Sequence, residues 1–173
     1  MLKHSCLVLL LISSLCASAA CSRTKSPERT GGGDSASTQA NGNDAAIPTI
    51  RAAAHAMTRP NPTLDYVAAE MEGVIMARTK SQALIHYDGY RATLTTASDR
   101  VTQIAFQLTE AKPSVKQLTE VFGKPREVRK GMLYEDDSDV TGAKILILAE
   151  PVSTPAEEGT LVRRIVLEGA ATR

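Results

Sequence analysis

Twice between residues 61 and 169 a stretch of helical periodicity stops at a glycine and gives way to segments that alternate apolar and polar residues. A helix buries one stripe and a strand buries one face, so this order predicts helices laid on one side of an antiparallel sheet. In the first unit Asn61 stands as N-cap and Pro62 takes the first helical position, where a missing N–H costs nothing. Leu64, Val67, Ala68 and Met71 follow at helical spacing, and Gly73 ends the run. Strands are predicted over 83–88, 90–95 and 101–108, with Asp88-Gly89 and Ser98-Asp99 as the turns between them. In the second unit Ser114 and Gln117 have the spacing of a capping box, and Val115, Leu118, Val121 and Phe122 make the apolar stripe. Gly123 and Pro125 stop that helix, and strands are predicted over 127–135, 144–150 and 161–168. The expected fold class is therefore α+β: an antiparallel sheet with helices packed on one face, in two tandem helix-strand-strand-strand units at 61–108 and 113–169. Leu64, Met71, Leu118 and Phe122 are expected to pack on sheet faces carrying Ile104, Phe106 and Leu108, or Ile145, Ile147 and Ile165. A further short helix over 50–57 follows from its alanine content.

The start of the chain has a different character. Lys3 and His4 precede an apolar run over 7–15, interrupted by Ser13 and Ser14, and Ala17-Ser18-Ala19-Ala20-Cys21 follows. A membrane span needs about 20 apolar residues in succession, so the run is too short to cross and reads as the core of a secretory signal. Two cuts remain open. Ala17-Ser18-Ala19 satisfies the small-x-small rule of ordinary signal peptidase, which would cut after Ala19. Ser18-Ala19-Ala20-Cys21 resembles the lipobox of bacterial lipoproteins, with Ser18 where that family usually carries an aliphatic residue. The resemblance implies that Cys21 is acylated. Cys6 and Cys16 would leave with the signal, so the exported chain keeps Cys21 alone and has no internal disulfide, and acylation accounts for the odd thiol. The organisation expected is a signal peptide over 1–20, a lipidated Cys21 and disordered tether over 21–48, and an α+β domain over 49–173. Ser22 follows the anchor in place of the Asp that holds many Gram-negative lipoproteins at the inner membrane. The expected location is thus the cell envelope, on the outer membrane facing the periplasm where the cell has one.

Residues 22–48 include one large aliphatic side chain, Ile47, and are rich in Ser, Gly, Asn and Asp. Such a stretch buries too little apolar surface to offset the entropy of ordering it. As a tether it would reach roughly 30 Å. Gly31-Gly32-Gly33 lacks both a preceding strand and a following Gly-Lys-Ser/Thr, so it belongs to the tether and not to a phosphate loop.

The duplicated unit, with its second helix closed by Phe122-Gly123-Lys124-Pro125, resembles two kinds of small exported bacterial protein. One is the SmpA/OmlA-like outer-membrane lipoproteins, accessory subunits of the machinery that inserts β-barrels. The other is the β-lactamase inhibitor protein, built from two such units in tandem. The resemblance covers residues 62–169 and lies in helix punctuation and strand order. It implies a binding or assembly-accessory role, or alternatively a tethered or secreted inhibitor of an enzyme. No functional position of either family carries over to this chain.

Catalytic motifs are missing from the sequence. There is no Cys-x-x-Cys, His-Glu-x-x-His or Gly-x-Ser-x-Gly, and beyond the signal the chain has two histidines, His55 and His86. His86-Tyr87-Asp88 reads as a strand end, with Tyr87 on the opposite face from its neighbours. Asp137-x-Asp139-x-Thr141-Gly142 opens like an EF-hand loop, but the twelfth position is Leu148 where a bidentate Glu is required, so a solvated hairpin tip is expected. No catalytic residue, metal site or cofactor is expected, and a hydrolase with an unrecognised site is the rival from another class. Nineteen acidic residues against nineteen basic ones after removal of Lys3 leave the exported chain neutral, which argues against nucleic acid as a partner. Lys124, Arg126, Arg129 and Lys130 gather after the second helix and are the candidate contacts for an acidic partner; the alternative is an edge strand guarded by charge. The partners expected are the membrane, through the lipid anchor, and an unidentified envelope protein. An exposed apolar patch on the sheet would favour binding, and a deep pocket gathering titratable groups would favour catalysis.

Overall fold

The computed structural model describes residues 44–137 and 143–169. The expected signal peptide, Cys21 and residues 22–43 of the expected tether lie outside the described residues, as do Ser138 and Asp139 of the acidic run.

Eight strands form one antiparallel sheet. They are β1 (Ile75–Arg78), β2 (Gln82–Tyr87), β3 (Tyr90–Ala97), β4 (Arg100–Leu108), β5 (Arg126–Val128), β6 (Gly131–Asp137), β7 (Lys144–Pro151) and β8 (Val162–Gly169). Their order across the sheet is β1-β2-β3-β4-β8-β7-β6-β5. The two tandem units thus meet through their last strands and run outward in mirror order. Along the meeting line Ile104 pairs with Leu167 and Phe106 with Ile165. These four side chains face inward and are fully buried.

Each unit has four strands and not three. β1 escapes period-two reading because it is a four-residue edge strand, three residues of which are exposed, with a bulge between Ile75 and Ala77. The strand expected over 127–135 is a hairpin instead. β5 turns at Arg129-Lys130 and returns as β6, with Val128 opposite Gly131. Gly131 permits this: its φ is 149°, and a Cβ there would overlap the carbonyl oxygen of Ala149 on β7.

Three helices, α1 (Ala46–Met57), α2 (Leu64–Glu70) and α3 (Val115–Phe122), lie on one face of the sheet. α3 has the capping box that its sequence predicts: Gln117 N–H donates to Ser114 Oγ at 3.3 Å, and Ser114 N–H donates to Gln117 Oε1 at 2.7 Å. Its stripe buries Val115 and Leu118, while Gly123 takes φ 79° beyond its end.

α2 is capped by Thr63 and not by Asn61. Thr63 is extended (φ −68°, ψ 156°) and its hydroxyl accepts from Tyr66 N–H at 3.4 Å. The tertiary cause is visible one residue earlier, where Val101 N–H donates to Pro62 O at 2.7 Å and Thr63 bridges to Arg100. The start of β4 holds residues 62–63 as extended chain, which delays the helix.

α1 begins at Ala46, four residues before the helix expected from alanine content, so residues 46–48 of the expected tether form its first turn. Pro48 is tolerated there because first-turn N–H groups have no partner within the helix. Ala46, Ile50, Ala53 and Ala54 are completely buried on it.

Phe122 departs from its expected place in the core. It is half-buried, with its ring edge-on to Tyr134 at a centroid distance of 6.4 Å. Leu118 and Tyr134 occupy the interior beneath α3, and the Tyr134 hydroxyl donates to Val115 O at 3.3 Å.

Candidate functional site: the open face of the sheet

Strand alternation sends one set of side chains under the helices and the other to the opposite face. In the first unit that opposite face is polar, carrying Arg91, Thr93 and Thr95 of β3 beside Gln103 and Gln107 of β4. In the second unit it is apolar. Leu133 on β6 stands opposite Leu148 on β7, and Leu148 stands opposite Val166 on β8. Val128 and Leu146 extend this ladder, and together these side chains line a groove of about 390 Å³ with Arg129, Lys130 and Glu168 at its margin. From β5 to β8 the groove crosses four strands, or about 14 Å at ordinary strand spacing. The apolar side chains are recessed: Val166 is 6 % exposed, and Val128, Leu133, Leu146 and Leu148 are half-buried.

The sequence carried a signal for this face. Ile145-Leu146-Ile147-Leu148-Ala149 and Ile165-Val166-Leu167 are apolar on both sides of their strands, the pattern of strands covered on both faces. Assigning alternate residues to the core leaves Leu146, Leu148 and Val166 without a role. They are the residues that sequence reasoning missed.

The charges on this face are unevenly satisfied. Lys144 bridges Asp137 at 3.4 Å and Glu135 at 4.0 Å, Arg164 bridges Glu150 at 2.9 Å, and Glu168 accepts from Gln103 Nε2 at 2.6 Å. The four basic candidates lie on or beside the β5–β6 hairpin. Arg126 is paired in register with Leu133, Arg129 and Lys130 form the β5–β6 turn and line the groove, and Lys124 precedes β5 without lining it. All four are exposed, and none forms an ion pair among the described residues. The fifth candidate, Cys21, lies outside the described residues.

Away from this face, Tyr87, Tyr90 and Tyr134 point inward with their hydroxyls hydrogen-bonded. Tyr87 donates its hydroxyl to Met71 O at 3.1 Å and stacks on Tyr90 with ring centroids 4.6 Å apart. Burial, with smaller contributions from Tyr90 and Glu72, pushes its hydroxyl well above the usual tyrosine range. His86 is exposed on the other side of β2. Asp136 faces α1, and burial foremost, then Asp137, raises its carboxyl above the ordinary value against the opposing pull of Arg51 and His55. A second cavity, of about 450 Å³, lies between the end of α1 and β4 and β7. It is lined by Arg59, Arg100 and Lys144 with no acid, histidine or cysteine among its described residues.

No cluster of three metal-ligating side chains occurs among the described residues, and no described helix is long and apolar enough to cross a membrane. Comparison with known proteins finds no matching family, no matching curated protein and no matching solved structure.

Proposed function

We propose that this chain is an exported envelope lipoprotein, anchored through acylated Cys21, whose domain works as a binding or assembly-accessory module. The observation that carries the binding reading is the apolar ladder Leu133–Leu148–Val166 on a sheet face that none of the three helices covers. Apolar area on a soluble surface is held against a cost in solubility, and a contiguous patch rimmed by polar groups is the common mark of a protein contact. The export and lipoprotein reading is supported by the residues over 3–21, and the envelope location follows from it.

Three measurements test it. Feeding cells a lipid precursor should label the chain, and Cys21→Ser should abolish the label; an unlabelled wild-type chain beginning at Ala20 would refute anchoring. Two or three acyl chains hold a protein stably where a single one is marginal, so membrane fractionation should change with the same substitution. A photo-crosslinking residue at Leu148 in the full-length chain should give a discrete protein adduct in the native envelope, and the same residue at exposed Arg91 should not. Equal adducts at both positions, or none at Leu148, would refute the groove as the contact.

A further inference from the structure

We propose that the occupant of the groove is an acidic polypeptide segment with aliphatic anchors, whose leucine-like side chains fill the ladder while its carboxylates meet Arg126, Arg129 and Lys130. This rests on the binding reading above and adds the chemistry of the partner.

Three observations converge on it. The apolar lining and the basic margin belong to one surface, since Arg129 and Lys130 line the groove and Arg126 faces Leu133 across the β5–β6 pair. The carboxylates on this face already have partners: Glu135 and Asp137 share Lys144, Glu150 has Arg164, and Glu168, at the margin of the groove, accepts from the uncharged Gln103. Arg126, Arg129 and Lys130 form no ion pair among the described residues, so on the β5–β6 side of the groove the unmet demand is for negative charge. Finally, the apolar side chains are recessed. A bilayer surface is entered by protruding apolar residues, and the large ones that protrude most, Val74, Met76 and Val152, lie outside this groove. A polypeptide side chain can descend into the recess, whereas a lipid surface meets its rim.

Uncompensated rim cations act chiefly on encounter and on salt dependence, while the desolvated apolar contact sets the lifetime of the complex. The expected behaviour is therefore affinity for a Leu/Glu segment that falls as ionic strength rises from about 0.05 to about 0.5 M, where the screening length shrinks below 5 Å.

The test uses the full chain carrying Cys21→Ser, with the methyl groups of Leu133, Leu148 and Val166 followed by NMR. The probes are a soluble peptide of alternating leucine and glutamate, its leucine and lysine counterpart, and phosphatidylglycerol vesicles. The Leu/Glu peptide should shift all three methyls, and the Leu/Lys peptide should bind at least about tenfold more weakly. Arg129→Glu with Lys130→Glu, both on an exposed turn, should reverse that preference. Equal binding of the two peptides, no methyl shift with either, or perturbation by vesicles and not by peptide would overturn the proposal. A Leu148 photo-adduct in the envelope whose yield is untouched by the charge reversal would remove the acidic partner while leaving the binding module standing.

Discussion

Phe106 and Ile165 face each other across the pairing of β4 with β8, both completely buried, so the line where the two units meet is part of the interior. The units share one hydrophobic core and one hydrogen-bonded sheet.

Phe106→Ala should cost about 3–5 kcal/mol, the range for removing a buried phenylalanine, out of a total of about 5–15 kcal/mol. Because the core is continuous, denaturant unfolding should remain a single transition with coincident probes in both units. Two separated transitions would show that the units fold independently.

Leu118 and Phe122 sit one turn apart on α3 but should differ in cost. Leu118→Ala removes a fully buried side chain and should lose about 2–5 kcal/mol. Phe122 is half-buried with an edge-on contact to Tyr134, so Phe122→Ala should lose about 1–2 kcal/mol. Equal losses in equilibrium unfolding would place Phe122 deeper than the structure does.

Gly131→Ala should be disproportionately harmful for the smallest possible change. Its φ of 149° disfavours any L side chain, at about 1–3 kcal/mol, and the overlap with Ala149 O adds to that. The β5–β6 hairpin should loosen, detectable as faster amide exchange at Leu133 and Met132. Native exchange rates in a stable Gly131→Ala chain would contradict this.

Asp136 tests the electrostatics of the α1 side. Its folded-state carboxyl titrates above the ordinary value, so the native protein holds that proton more tightly than the unfolded chain does. Stability is therefore greatest with Asp136 protonated and is lost as pH rises from the ordinary carboxylate range through the raised value. Asp136→Asn should match wild type near pH 4 and exceed it near pH 7 in paired unfolding measurements. A wild-type advantage that grows toward neutral pH would reverse the assignment.

Much of the architecture was legible because the signals were local. Ser114 and Gln117 satisfy each other's backbone, so their capping box needs no knowledge of the rest of the fold. Ile104, Phe106 and Leu108 declare the buried face of β4 by alternation, whereas β7 and β8 are apolar on both faces and only the fold decides between them. The failures came where distant chain decided local structure. Thr63 replaces Asn61 as cap because β4 pairs with residues 62–63, and Arg129-Lys130 makes a turn without turn chemistry because Gly131 lets β6 approach β7. For the candidate site, the basic residues were legible as charge, but the groove was not, since an apolar residue on the second face of a strand reads as core until the cover is seen to be missing.

The mirror order of strands also limits how such a chain could have grown. Each unit spends its final strand, β4 or β8, on joining the other, in the manner of an isologous contact that closes on itself. The edges left over are β1 and β5, short strands that begin each unit and are unlike the ones that join them. Head-to-tail arrays such as solenoids can add modules indefinitely because every module presents the same surface to the next. Here a third copy would find no vacant counterpart of β4 or β8, so duplication of this unit terminates at a pair, and further size must come from loops, tails or other chains.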